Sequence, residues 1–135
     1  MKPSQTVQED RVARAPGLLR CWIEQYESAS VVYARGEVDL SSAPMLRRCL
    51  ERAEARTRPI IVDLRGVTYI DGTGFRVLED AYRRAQAQQR SFWVIPSRNV
   101  RRLVTMLHLD DSVPLTGSIE EAIDRSIPPP EGVPD

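Results

Sequence analysis

One stretch, residues 60–85, constrains the fold of this chain more than any other. It begins with an apolar run of strand length, Ile60–Leu64, rich in β-branched residues. Such runs are typical of strands buried on both faces, as in a parallel sheet. It ends with apolar residues at three- and four-residue steps, Phe75, Leu78, Tyr82 and Ala85, which predicts a helix with one buried stripe. The stretch therefore predicts a parallel strand that leads through a polar turn into a helix.

The polar turn, Asp71–Gly74, has the composition of a helix start. Asp71 and Thr73 can each accept a hydrogen bond from a free amide of the first helical turn. Gly72 and Gly74 tolerate backbone angles that other residues resist. Open α/β sheets place their functional sites beyond the carboxyl ends of their strands. The turn is therefore the first candidate site, although a well-capped connection would use the same residues.

The remaining elements follow from hydrophobic periodicity and from turn residues. A first strand at 18–26 and a second at 31–38 form a predicted hairpin, and further strands are predicted at 92–95 and 113–116. Serine caps and first-turn proline predict helices that open at Asp39–Pro44, at Ser97 and at Ser118, in addition to the helix at 73–89. Their alternation predicts an α/β fold with a mixed, mostly parallel sheet of about five strands and about four helices.

The length of 135 residues favours one domain. We place this domain at residues 18–126. Residues 1–17 are polar, contain two prolines and show no period, and residues 127–135 are proline-rich. Both ends are therefore predicted to be flexible tails.

Charge and cysteine content narrow the class of protein. Lys and Arg total 19, as do Asp and Glu, giving a formal net charge of zero, whereas a general nucleic-acid binder carries a basic excess. No apolar stretch is long enough to cross a bilayer, and the polar start of the sequence is not expected to act as a secretory signal. A cytoplasmic protein is expected.

Cys21 and Cys49 lack metal spacing and are interpreted as small buried apolar residues, with nothing to support a redox role.

The sequence shows no catalytic constellation. His108 is the one histidine and, near the end of a predicted helix, is interpreted as a capping or structural residue. Asp71–Gly74 has too few glycines and no lysine for a phosphate-binding loop. Asp63 and Asp71 could form a carboxylate pair for Mg²⁺, but Asp63 lies inside an apolar strand. We therefore expect no enzyme activity, no metal and no cofactor.

Three motifs resemble those of the STAS domain, in the form found in bacterial anti-sigma factor antagonists. The first is Gly36–Ala43, which is similar to the family's G-E-[LI]-D-x-x-x-A stretch. The second is Asp63–Phe75, which is similar to its D-L-x-x-V-x-x-[IM]-D-S-[ST]-G-L block. The third is Leu107–Asp110, which is similar to its later G-L-D segment, with His108 where glycine is usual. The resemblance covers residues 18–126. It implies a STAS-like fold and the element order predicted above.

The resemblance also implies a function that depends on binding. Family antagonists dock on an anti-sigma factor of the ATP-binding serine kinase type and thereby free a sigma factor. The partner then switches the antagonist off by phosphorylating the serine after the motif aspartate. A phosphate adds about −1.5 to −2 charge at that position. The implied partner is therefore the anti-sigma factor, with no direct contact to nucleic acid and no insertion into a membrane.

This chain departs from the family at the phosphoacceptor position. Gly72 stands there and has no hydroxyl, so control by phosphorylation is expected to be lost or altered. Thr73 is the nearest alternative acceptor, unless its hydroxyl is engaged as a helix cap. Asp39 matches the acidic residue that follows the family's second strand, and Arg76, unfavourable near a helix N-terminus, hints at an anionic contact. The expected partner-binding residues are Asp39, Ser41, Asp71, Gly72, Thr73, Gly74 and Arg76.

Two other functions remain open at this point. STAS relatives also serve as subunits of lipid-transport or stress-signalling complexes. A small-molecule or nucleotide sensor would place its ligand at the turn before the second helix. Neither alternative changes the predicted fold.

Overall fold

The computed structural model describes residues 13–15 and 19–126 of the chain. These residues form one sheet and four helices, as the α/β prediction required. The strands are β1 (Ala13–Ala15), β2 (Leu19–Gln25), β3 (Ser30–Val38), β4 (Ile60–Ile70) and β5 (Phe92–Pro96). The helices are α1 (Ala43–Ala53), α2 (Gly72–Ala87), α3 (Arg98–Met106) and α4 (Ile119–Arg125).

The five strands lie in the sheet in the same order as in the sequence. β1 pairs with β2 and β2 with β3 in antiparallel fashion, which confirms the predicted hairpin. β3 pairs with β4 and β4 with β5 in parallel. The sheet is therefore mixed, as predicted, but parallel pairs make up half of it rather than most of it.

Two strand assignments from the sequence need correction. The prediction that residues 1–17 form a tail is wrong for Ala13–Ala15, which pair with β2. The remaining residues of the two predicted tails, 1–12, 16–17 and 127–135, lie outside the described residues. The predicted last strand, 113–116, is reduced to a single parallel bridge between Leu115 and Val94. Pro114 has no amide hydrogen to donate. The bridge is formed by two bonds, in which the Val94 amide donates to the Pro114 carbonyl and the Thr116 amide donates to the Val94 carbonyl.

β4 runs to Ile70, six residues beyond the predicted end at Leu64. The pairing of β3 with β4 shifts register twice, between Tyr33 and Arg35 and between Gly36 and Glu37. Gly36 has φ 114°, a conformation that would cost another residue about 1–3 kcal/mol. These irregularities interrupt the alternation of side chains between the two faces of the sheet. The apolar sequence pattern therefore ends before the strand does.

The sheet has two unequal faces. We call the first the helical face, because α1, α2 and α3 cover it and contribute Leu46, Leu50, Leu78 and Val104 to the larger core cluster. We call the second the open face, because only α4 packs there, on a smaller cluster that includes Val31, Ile61, Ile95 and Ala122. Cys21 and Cys49 are both buried in the larger cluster, which confirms their interpretation as core residues.

Candidate functional site

The two motif turns lie side by side because the strands that precede them are paired. Val38 at the end of β3 is the register partner of Ile70 at the end of β4, so Asp39 and Asp71 leave the sheet next to each other. The Asp71 amide donates to the Val38 carbonyl at 3.0 Å. We call this region, residues 39–42 and 69–76, the paired-turn surface. It brings together all seven site residues expected from the sequence.

Asp71 caps α2, as predicted. Its backbone is extended (φ −98°, ψ −177°), so its carboxylate turns back and accepts from the Gly74 amide at 2.9 Å. Extended backbone before the first helical residue is what allows a side chain to reach these amides. The helix therefore begins with one of its free donors satisfied by the motif aspartate.

The prediction that Thr73 is a second cap is wrong. Thr73 lies one residue inside α2, where the side chain points away from the helix axis, and it is exposed. Its hydroxyl makes no hydrogen bond with any residue that the structure describes. The hydroxyl is therefore free on the paired-turn surface.

Gly72 and Gly74 differ in their surroundings. A Cβ added at Gly74 would lie 2.5 Å from Val38 Cγ1 and 2.9 Å from Ile70 Cγ1, whereas a Cβ at Gly72 would meet nothing within 4 Å. Gly74 is thus needed for the close approach of α2 to the ends of β3 and β4. Gly72 is exposed and has room for a side chain.

Asp39 organises the start of α1. Its Oδ1 accepts from the Ser41 amide at 3.0 Å and from the Ser41 hydroxyl at 2.7 Å. The Ser42 amide also donates to Oδ1, at 3.1 Å. The Ser41 hydroxyl bond, followed by these backbone bonds, holds the pKa of Asp39 below its ordinary value.

The predicted serine cap of α1 is only partly correct. Ser42 occupies the capping position, but its side chain makes no bond to a helix amide. Its hydroxyl instead donates to the Glu37 carbonyl and accepts from the Asp39 amide, both at 2.9 Å. The Ala43 amide, the first of α1, donates to the Asp39 carbonyl at 2.7 Å, so a backbone carbonyl rather than a serine side chain satisfies this donor.

Two apolar residues on the paired-turn surface were missed by the sequence patterns. Leu40, between Asp39 and Ser41, is 73% exposed, and Tyr69, near the end of β4, is 45% exposed. Both lie at the same end of the sheet, because Leu40 follows β3 and Tyr69 lies near the end of β4, and these two strands are paired in parallel. The available signal was an isolated leucine in a polar turn. Arg76, in the first turn of α2, is exposed and makes no ion pair with a described residue.

The other residues considered for chemistry have structural roles. Asp63 is buried in β4 and pairs with Arg65, from Nε to Oδ1 at 3.0 Å and from Nη2 to Oδ2 at 2.8 Å. His108 has φ 55° and ends α3 together with Leu109, whose amide donates to the Val104 carbonyl at 2.8 Å. This left-handed position explains why the family motif usually carries glycine there. Within residues 13–15 and 19–126, no three metal-ligating side chains form a group and no helix could cross a bilayer.

Comparison with known proteins identifies the family. A family model of the STAS domain matches residues 22–122, which is most of the chain, and the chain therefore belongs to the STAS domain family. Among solved structures it is similar to an anti-sigma factor antagonist from Mycobacterium paratuberculosis, with 25% identity and a TM-score of 0.72 over 83% of this chain and 97% of that one.

Two further structures share the fold. The anti-sigma factor antagonist SpoIIAA in its unphosphorylated form is 22% identical, with a TM-score of 0.56 over 89% of this chain and 95% of that one. The murine anion transporter Slc26a9 is 12% identical, with a TM-score of 0.62 over 89% of this chain but 22% of the transporter. The family match confirms the STAS domain stated from the motifs, and the structure from Mycobacterium paratuberculosis, at 25% identity, is that of an anti-sigma factor antagonist.

Proposed function

We propose that this protein is an anti-sigma factor antagonist that binds an anti-sigma factor through the paired-turn surface and thereby releases a sigma factor. The observation that supports this most strongly is that α1 and α2 begin next to each other, after paired strands, with Leu40 and Tyr69 exposed in the segments that lead into them. It occurs in a chain that is 25% identical to an anti-sigma factor antagonist of known structure.

The surface has the parts that a protein interface needs. Leu40 and Tyr69 supply apolar area that a partner would desolvate, and truncating such central anchors is what weakens interfaces most. The α2 N-terminus carries a partial positive charge that favours an acidic group of the partner. Gly72 has no side chain to keep a partner away from this helix end. Asp39 and Asp71 fix both turns, so little order has to be gained on binding.

We further propose that the partner is an anti-sigma factor of the serine kinase type and that control by phosphorylation is lost at position 72. Glycine cannot accept a phosphate there. Thr73 is the alternative acceptor, and its exposed hydroxyl, free of bonds to described residues, supports this option. A phosphate at the start of α2 would be stabilised by the helix dipole, so its effect would fall on the partner rather than on the fold.

Binding to purified anti-sigma kinases encoded in the same genome tests the first proposal. We expect one of them to bind the wild-type chain and to bind Leu40→Glu at least about tenfold more weakly, as for an interface hot spot. Leu107→Glu is the matched control, since Leu107 is 58% exposed at the end of α3, outside the paired-turn surface. Absence of binding to every kinase, or equal losses in the two variants, would contradict the proposal.

Incubation of the same partner with ATP tests the proposed loss of control. We expect no phosphate on the wild-type chain and phosphate on Gly72→Ser, because the added side chain has open space around it. Phosphate on the wild-type chain that disappears in Thr73→Ala would show instead that the acceptor has moved by one residue. Phosphate at any other residue, with loss of binding, would refute both versions.

A further inference from the structure

A groove lies on the open face of the sheet, where α4 gives no cover. It has a volume of about 370 Å³ and is lined mainly by Trp22, Tyr33, Arg35, Asp63, Arg65 and Gly66. The register shift between Tyr33 and Arg35 lies among the lining residues, and bulges of this kind are frequent beside functional sites. The groove shares no residue with the paired-turn surface, so a binding site there does not rest on the proposed function.

An aromatic pair forms one wall of the groove. Trp22 and Tyr33 are register partners on β2 and β3, and their rings stack with centroids 5.3 Å apart and planes inclined by 12°. Arg20 lies over the Trp22 ring at 5.4 Å from its centroid. Both aromatic residues are only partly buried. Their exposed parts offer apolar surface to a ring that enters from solvent.

Two guanidinium groups also line the groove. The buried Asp63 carboxylate holds Arg65 through two bonds, at 3.0 and 2.8 Å, while the Arg65 side chain remains 51% exposed. Arg35 is exposed and makes no ion pair with any described residue. A Cβ at position 66 would lie 2.6 Å from Arg35 Cγ, so Gly66 allows the Arg35 stem to lie across β4. Of the three lining charges, Asp63 offsets Arg65 and leaves that of Arg35 uncompensated.

We propose that this groove binds a small, flat aromatic anion. Its ring would lie against Trp22 and Tyr33, and its carboxylate or phosphate would bond to Arg35 and to the outward N–H groups of Arg65, the fork geometry that guanidinium provides. The volume falls at the lower end of the range of about 300 to 1,000 Å³ for small-molecule sites. This size fits one or two rings.

NMR titration of the full-length chain tests the site, because the indole N–H signals separate Trp22 from Trp93. The probes are 4-hydroxybenzoate and phenyl phosphate, with 4-hydroxybenzamide and phenol as their neutral counterparts. We expect saturable shifts of the Trp22 indole and of the Arg35 and Arg65 side chains, with a Kd of about 1 mM or below for at least one anion. The Trp93 indole, which donates to Ser126, should move little.

Variants separate a specific site from weak surface binding. Arg35→Gln should weaken the anion about tenfold, and Arg101→Gln, on the exposed side of α3, should leave it unchanged. Tighter binding of 4-hydroxybenzoate or of phenyl phosphate would show whether the groove prefers a carboxylate or a phosphate. The absence of saturable shifts, equal binding of the neutral probes, binding unaffected by Arg35→Gln, or shifts centred on residues 71–76 would each overturn the proposal.

Discussion

Gly72 and Gly74 are both at the start of α2, yet only one of them has to be glycine. Gly74→Ala is expected to destabilise the fold by about 1–3 kcal/mol, as overpacking of a core does, because the new methyl group would overlap Val38 and Ile70. Gly72→Ala is expected to be neutral or to stabilise by up to about 1 kcal/mol, since it only restricts the unfolded chain. Urea denaturation of the two variants measures both values.

The comparison of these two glycines also separates structure from binding. Equal losses of stability would mean that Gly72 is packed, and the open position proposed for a restored phosphoacceptor would be wrong. If Gly74→Ala keeps full stability, α2 does not approach the strand ends as closely as described. Either result would be visible in the denaturation midpoint without any partner present.

At the level of elements, the turn between β3 and α1 depends on the ionised Asp39 carboxylate. Its pKa is lower in the folded state, so the charge stabilises the fold above the unfolded pKa of about 3.9. That stabilisation is lost as the pH falls through the lower, folded pKa. The advantage of the wild-type chain over Asp39→Asn, which keeps a capping group, should therefore be present at pH 6 and fade in acid.

An NMR titration of the Asp39 side chain gives the cause of this shift directly. Ser41→Ala removes the hydroxyl that donates at 2.7 Å, the largest contribution to the lowered pKa. The pKa of Asp39 should then rise toward its ordinary value. An unchanged pKa would assign the effect to the backbone amides of Ser41 and Ser42 instead.

The sequence predicted the elements that local rules control and missed those set by pairing. Asp71 could be assigned as a cap because an aspartate before an apolar stripe acts within four residues. The second half of β4 could not, because the bulge that redirects Val67 and Ile70 into the core depends on β3. Leu40 and Tyr69 were missed for a related reason. Periodicity predicts which apolar residues a regular element buries, but not which ones a turn or a strand end leaves outside.

At the level of the whole molecule, one sheet supports two core clusters, and this predicts a single cooperative unfolding transition. Ile60 and Ile61 are adjacent on β4 and almost fully buried, the first in the larger cluster and the second in the cluster under α4. Ile60→Ala and Ile61→Ala should each cost about 2–5 kcal/mol. α4 has seven residues, too few to be stable without packing. It should therefore unfold together with the sheet. Each variant should then lower hydrogen-exchange protection by the same amount in the most protected amides of α1 as in those of α4. Loss of protection confined to α4 in Ile61→Ala would show that the open face forms a separate, weaker unit.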